Sequence, residues 1–468
     1  MSDKASPTAV ATAPETDEVP KPSVSVLRKR WNKFKTLKRG YYSLIILTVA
    51  YLLSWCLPVL MNSQALLVKY KGEYYVPLNP NTHLQGKDFD QYGEMTMFGA
   101  APPNYRLLQA RLAADDDPDS WVIMPLVPYD YRESARNFLE QRIKKKYAKG
   151  DFSYDKGVPL DSGSDEGGYK GDEDEGYAGD DEGYAGDEDE GYAGDDEEDA
   201  MAKADAGENI DELVERNPPH APSLEFQHYL GTDNRGRDML ARLAYGFKIS
   251  MSFALFLLVV SYTVGITVGA ILGYYGGLVD LLGQRVIEVW QTVPFLYTVM
   301  ILGAALNDLD VLGERQGLPD ILQPSFVMLV LVLAVFSWMG ISYYIRGEFL
   351  REKARDYVSA AISIGVSNPT IIVKHILPNT LTPVVTFAPF AVVSYISSLV
   401  ALDYLGFGLP APTPSWGELM NQALPEFMSK WWMVASPISA LFLTLLLVVF
   451  IGEAVREAFD PKVFSRLR

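Results

Sequence analysis

Six stretches of this chain are each about 20 residues long and nearly free of charge, and no other feature limits its fold so tightly. They cover residues 41–61, 247–272, 286–307, 324–345, 379–402 and 433–455. A hydrocarbon core about 30 Å thick takes roughly 20 apolar helical residues to cross, because no water is there to satisfy a bare backbone. Any one of these stretches could be a buried helix of a soluble protein, but six in one chain exclude that reading. The expectation is an all-α membrane protein with six transmembrane helices and a large external insertion between the first and the second.

Orientation follows from the basic residues. The run "RKRWNKFKTLKRG" (Arg28–Gly40) precedes the first span, and such a block stays on the cytoplasmic side. The span exceeds the apolar core of a cleaved signal, roughly 7–15 residues, and no small-residue cleavage site follows, so a retained anchor is expected. Alternation then puts residues 62–246 outside and the loop 346–378 inside. Charge agrees with this: the inner loop holds Arg346, Arg351, Lys353, Arg355 and Lys374 against three acids, whereas an outer connection sets Asp308, Asp310, Glu314 and Asp320 against Arg315 alone. Both termini are expected in the cytoplasm. The chain divides into a tail and basic flank over 1–40, a first span over 41–61, an external segment over 62–246 and a membrane core over 247–468.

The net charge of −18 belongs almost wholly to the external segment, where 40 acids face 19 bases. Much of that excess lies in residues 161–199, where acid runs alternate with Gly-Tyr-Ala-Gly. Such repeats have too little apolar surface for a core, and they lack the spaced ligands and closing Glu of a calcium loop. A solvated spacer is expected there, as is a polar tail over residues 1–22. The lone cysteine rules out an internal disulfide. His83, His220, His228 and His375 are scattered without metal-ligand spacing, and neither a phosphate-binding Gly-rich loop nor a nucleophile or zinc motif occurs. Charged residues near a span midplane, which an ion-coupled carrier uses, are also missing, so the expected energy source lies outside the chain.

Between the fourth and fifth spans stands "DYVSAAISIGVSNPTIIVKHILPN" (Asp356–Asn379). Tyr357, Ala360, Ala361, Ile364 and Gly365 fall at helical spacing and predict one face with little side chain on it. Ser367 or Asn368 can cap a second helix, and Pro369 suits its first turn. The stretch resembles the "EAA" loop of ABC importer permeases. Ala360, Ala361, Gly365, Leu377 and Pro378 stand at that pattern's spacings, while Ser359 replaces its Glu and His375 its Ile. The "HILPN" form is similar to the dipeptide and oligopeptide branch. In that family the loop forms a coupling helix that docks on a separate ATPase. The resemblance therefore implies an ATPase-coupling role for Tyr357, Ala360, Ala361, Gly365, Pro369, His375, Leu377 and Pro378.

Two outer stretches resemble the same branch. "LGTDNRGRDMLARLAYGFKIS" (Leu230–Ser250) carries Gly231, Thr232, Asp233, Gly236, Arg237 and Asp238. Thr232 and Asp233 can cap a helix, and Arg237 and Asp238 read as structural ion-pair partners. "LGFGLPAPTPSWGELM" (Leu405–Met420) carries Pro414, Ser415, Trp416 and Gly417. Its prolines stiffen the loop, and Trp416 is expected to anchor at the membrane interface. Ahead of both, "LLVKYKGEYYVPL" (Leu66–Leu78) suggests a short strand and resembles the extended outer loop of microcin C and oligopeptide type permeases. The resemblance implies a type I ABC importer permease fold in a bacterial inner membrane. It implies a homologous second permease, one or two nucleotide-binding ATPase subunits and an external substrate-binding protein as partners, alongside the lipid bilayer and without nucleic acid. ATP and Mg would be bound by the ATPase, no cofactor by this chain, and peptides would be the cargo. An ion-coupled transporter or channel, and a membrane-anchored sensor using the acidic repeats, are the rival readings.

Overall fold

The computed structural model describes residues 26–78, 84–89, 103–115, 119–132, 219–224, 227–307 and 319–460. The acidic repeats, the tail over 1–22, His83, and the outer residues Asp308, Asp310, Glu314 and Arg315 lie outside these.

The first predicted span is divided at a proline. Helix α1 (Val26–Thr36) leads into α2 (Lys38–Ser54), and after a turn one more helical turn forms α3 (Leu57–Leu60). Pro58 has no N–H for the Ser54 carbonyl and its ring would press against it, so α2 stops there. The chain then enters a small cap. Strand β1 (Leu67–Tyr70) pairs antiparallel with β2 (Glu73–Tyr75) on one edge and β3 (Trp121–Ile123) on the other. Lys71 and Gly72, at φ +50° and +86°, give the tight turn the twist that a two-residue hairpin needs. Helix α4 (Tyr105–Asp115) covers one face, burying Val68, Phe89, Leu108 and Val122. This sheet is a small β addition to the expected all-α architecture.

Helix α5 (Met239–Tyr275) is 37 residues long. The third predicted span is in two pieces, α6 (Gly277–Gln291) and α7 (Phe295–Asn307), broken ahead of Pro294, whose ring excludes the Trp290 carbonyl from a helical bond. Helices α8 (Pro324–Ser337) and α9 (Met339–Lys353) meet at a 45° bend. A short helix, α10 (Asp356–Ser363), precedes α11 (Asn368–Tyr404), which contains a π-helical stretch over Ile371–Ile376. The wider turn lies directly ahead of Leu377-Pro378, where an α-helical bond from residue 378 is unavailable. The predicted second inner helix and fifth span are therefore one continuous element. Helix α12 (Trp416–Ala423) and α13 (Trp431–Phe459) complete the described chain. Among the described residues, α5, α11 and α13 are each long and apolar enough to cross a membrane, with a fourth crossing if α8 and α9 act as one bent span.

Helix α5 sits at the centre. Phe253 and Leu257 from it pack with Val330 and Leu333 of α8 and Ile396 and Leu399 of α11. Toward its C-terminal end Gly265, Gly269 and Gly273 form a four-residue repeat against α9. A Cβ at Gly269 would lie 2.5 Å from the Ser342 carbonyl oxygen, and one at Gly265 2.5 Å from that of Trp338. The repeat lets two backbones touch where lipid supplies no hydrophobic drive between helices. Outward-facing Leu52, Val259 and Phe442 are more than 60% exposed, so these faces meet lipid or another chain rather than water.

Candidate coupling loop and buried charge cluster

The candidate coupling loop is built on α10. Asp356 in its first turn suits the positive helix end. Val358 and Ala361 are buried against Ile345, Phe349, Ile371 and Ile376. Tyr357, Ser359, Ala360, Ile362 and Ile364 are exposed. The predicted small-residue face is thus split: Ala361 points into the protein and Ala360 out of it. Gly365 belongs to neither face. Its amide donates to the Ile362 carbonyl at 3.0 Å, the Val366 amide donates to the Ala361 carbonyl at 3.1 Å, and its φ is +80°. These are the two bonds and the left-handed residue of a Schellman stop, so the helix ends where the predicted stripe would have continued.

Side chains fasten this loop to three helices. The Tyr357 hydroxyl donates to Glu352 Oε2 at 2.9 Å and accepts from Asn379 Nδ2 at 3.2 Å. Burial first, with Glu352 close by, holds the Tyr357 hydroxyl above its ordinary pKa range. Tyr274, at the end of α5, donates to Asn368 Oδ1 at 2.7 Å, and Lys353 donates to the Tyr274 carbonyl at 2.5 Å. Ser367 precedes α11 without capping it through its side chain, and Pro369 lies in the first turn. His375 and Pro378 are exposed while Leu377 is half-buried; the His375 carbonyl accepts from Asn379 at 3.1 Å. Sequence reasoning missed Tyr274, Glu352 and Asn379, since hydrogen bonding between separate helices leaves no periodic trace.

At the N-terminal end of α5 the two remaining motifs meet. Asp233, fully buried, accepts from the backbone amides of Arg235 and Arg237 at 3.0 and 2.9 Å, and pairs with Arg237 Nε at 2.8 Å and Arg242 at 2.6 Å. The other arm of Arg242 reaches Glu418 at 2.6 Å, 176 residues away, and Arg237 also approaches Glu418 at 3.3 Å. Buried charges persist only when paired and hydrogen-bonded in this way. Asp233 therefore caps a turn rather than the helix. Asp238 is the N-cap of α5, accepting from the Ala241 amide at 2.7 Å, and its second oxygen meets His228 at 2.8 Å. Thr232 does not cap either; its hydroxyl accepts from the His220 amide at 2.7 Å. Gly231 and Gly236 take φ of +77° and +76°.

The Leu405–Met420 motif locks onto the same cluster. Ser415 caps α12 through the Gly417 amide at 3.2 Å and donates its hydroxyl hydrogen to Asp403. Pro414 is buried beside it. Trp416 is only 1% exposed and donates to the Leu243 carbonyl at 3.0 Å, which corrects the expected interface anchor: the indole is a core peg between α12 and α5. Gly417 has no room for more than a hydrogen, since a Cβ would lie 2.2 Å from the Val400 carbonyl oxygen. Arg242 and Glu418 were not anticipated, because a pairing across so much chain has no local signal. Among the described residues no group of His, Cys, Asp and Glu could hold a metal ion.

The geometry defines a helical membrane protein with a loop fastened to three helices at one end of α5 and a buried charge cluster at the other. Residues 265–465 match the family described as "Binding-protein-dependent transport system inner membrane component". The chain is 32% identical over 440 residues to the "Inner membrane ABC transporter permease protein YejE" of Escherichia coli, covering 93% of this chain and 97% of that one. It is 31% identical over 436 residues to the "Peptidoglycan transport system permease protein YejE" of Agrobacterium fabrum, covering 93% of each. The "Oligopeptide transport system permease protein OppC" of Haemophilus influenzae is 34% identical over 242 residues, 52% of this chain and 73% of that one. Among solved structures, an inward-facing MetNI methionine ABC transporter is similar at 14% identity and a TM-score of 0.38, over 47% of this chain and 98% of that one. The chain belongs to the family of binding-protein-dependent transport system inner membrane components.

Proposed function

We propose that this chain is the transmembrane permease subunit of an ATP-driven importer of peptides in a bacterial inner membrane. The observation that supports it most is the near full-length match to two permease relatives, one of which bears a name that specifies peptidoglycan transport, beside the shorter match to a relative named for oligopeptide transport. In this reading the chain crosses the bilayer six times with both termini in the cytoplasm, counting α2 with α3 and α6 with α7 as interrupted spans. It pairs with a homologous second permease, receives its cargo from an external substrate-binding protein and binds no cofactor. The ATPase subunits hold ATP and Mg. The exposed side of α10, with Tyr357 and Ala360, together with Gly365, Pro369, His375 and the Leu377-Pro378 turn, is the surface on which they act. The outer motifs around Asp233, Arg237 and Trp416 keep the external ends of α5, α11 and α12 in register while inner ends move.

The test is a pull-down of the detergent-solubilised chain from its host, comparing wild type with Ala360→Arg. Ala360 is exposed and outside the buried face, so the variant should fold. Recovery of an ATPase and a second permease with wild type, and loss of the ATPase alone with the variant, is expected. Recovery of neither by wild type would overturn the importer reading, as would peptide uptake that persists without any ATPase.

A further inference from the structure

We propose that the exposed face of α1 and the start of α2 form a docking surface for the headgroups of anionic phospholipids. The proposal rests on the reading that the N-terminal side is cytoplasmic. Residues 28–39 hold seven cations, and no acid occurs between Glu18 and Glu73. Clusters of about four to eight Lys and Arg beside a span are attracted to an anionic leaflet.

The structure divides these cations by face. Arg30 reaches Thr382 of α11 at 3.3 Å and lies over the Phe459 ring of α13 at 4.8 Å, while Lys33 donates to the Glu457 carbonyl at 2.8 Å. Phe34 is buried against Ala454 and Ala458. That inner face holds α1 to the inner ends of two spans. Lys29, Lys35, Lys38 and Arg39 are on the outside, all exposed.

What covers them is indicated by their neighbours. Tyr42, Ile45, Ile46, Val49, Leu52 and Leu53 are all at least 40% exposed and form one apolar stripe of α2. Lys38 and Arg39 stand four and three residues before Tyr42, so they lie at the foot of that same face. Trp31, 47% exposed and stacked on Phe34, has Lys35 over its ring at 5.6 Å, an amphipathic pair of the kind that sits at headgroup depth. An apolar stripe ending in cations matches a lipid, acyl chain above and phosphate below, rather than a soluble polyanion or an acidic protein surface.

The test is the lipid retained by the full-length chain purified in detergent with an equal mixture of phosphatidylglycerol and phosphatidylcholine, read by mass spectrometry. Wild type should retain several-fold more phosphatidylglycerol than phosphatidylcholine, and added salt should erode that preference. A variant with Lys29→Gln, Lys35→Gln, Lys38→Gln and Arg39→Gln should lose it, and one with the three lysines changed to Arg and Arg39→Lys should keep it. A wild-type ratio equal to the mixture, a preference insensitive to salt, or a preference kept by the neutral variant would overturn the proposal. If the neutral variant does not fold, the salt response of wild type still decides. Topology is checked separately by Lys29→Cys in a Cys56→Ser chain: labelling of intact cells by an impermeant maleimide would overturn the cytoplasmic placement, whatever the lipid ratio.

Discussion

Gly417 and Gly365 are required for opposite reasons, and two substitutions separate them. At Gly417 the obstacle is space, so Gly417→Ala should cost about 1–3 kcal/mol as α12 is pushed off α11. At Gly365 nothing lies within 4 Å of an added Cβ, and the obstacle is the φ of +80°. Asn tolerates that conformation at a helix stop, so Gly365→Asn should change stability by no more than about 0.5 kcal/mol. Thermal midpoints of the solubilised chain compare the two; equal losses would mean that Gly365 is crowded after all. Asp280 offers a pH signature. Hydrogen bonds from Arg346 hold its carboxyl below the ordinary 3.8. A lowered carboxylate pKa adds stability that is complete above the ordinary value and lost as the pH falls through the lowered one. Wild type should therefore outlast Asp280→Asn at neutral pH, and the gap should close as the pH drops below about 4. A gap that stays constant would show that the ion pair is not its source.

Among elements, the long apolar runs of α5, α8, α11 and α13 were legible because apolar length is a local property. Their interruptions were legible in part. Pro58 and Pro294 mark the breaks in the first and third spans, yet Pro383 and Pro389 lie inside α11 without ending it, because neighbouring groups in a bundle can satisfy the freed carbonyls. The π turn ahead of Leu377-Pro378 has no composition of its own. The burial of Trp416 depends on where α12 lands after a loop, which no spacing encodes. The glycine repeat at 265, 269 and 273 was available as a small-residue pattern at four-residue intervals. Its partner, α9, was not. Gly269→Val should separate α5 from α9, lowering the thermal midpoint in detergent and abolishing uptake, since α9 leads directly into α10. Retention of both would show that this contact opens without cost.

At the scale of the whole molecule, the chain joins a membrane bundle to a cap with its own small core, and aromatic ring pairs help to hold the cap. Tyr129 stacks on His228 with centroids 4.0 Å apart, and the Tyr131 ring is tilted against Tyr245 at 4.4 Å. The acidic repeats carry too little apolar surface to add to that core, so deletion of residues 161–199 should leave peptide uptake in whole cells near the wild-type rate. Loss of uptake on deletion would favour a ligand-sensing role for the repeats. The bridge from Asp233 through Arg242 to Glu418 also bears on how such chains can diverge. A single change at any of the three leaves a buried charge with fewer partners than it needs, so drift at one position is disfavoured unless its partners follow. Across descendants of a common ancestor, these three codons should be inherited as a set or replaced as a set, with intermediate combinations rare.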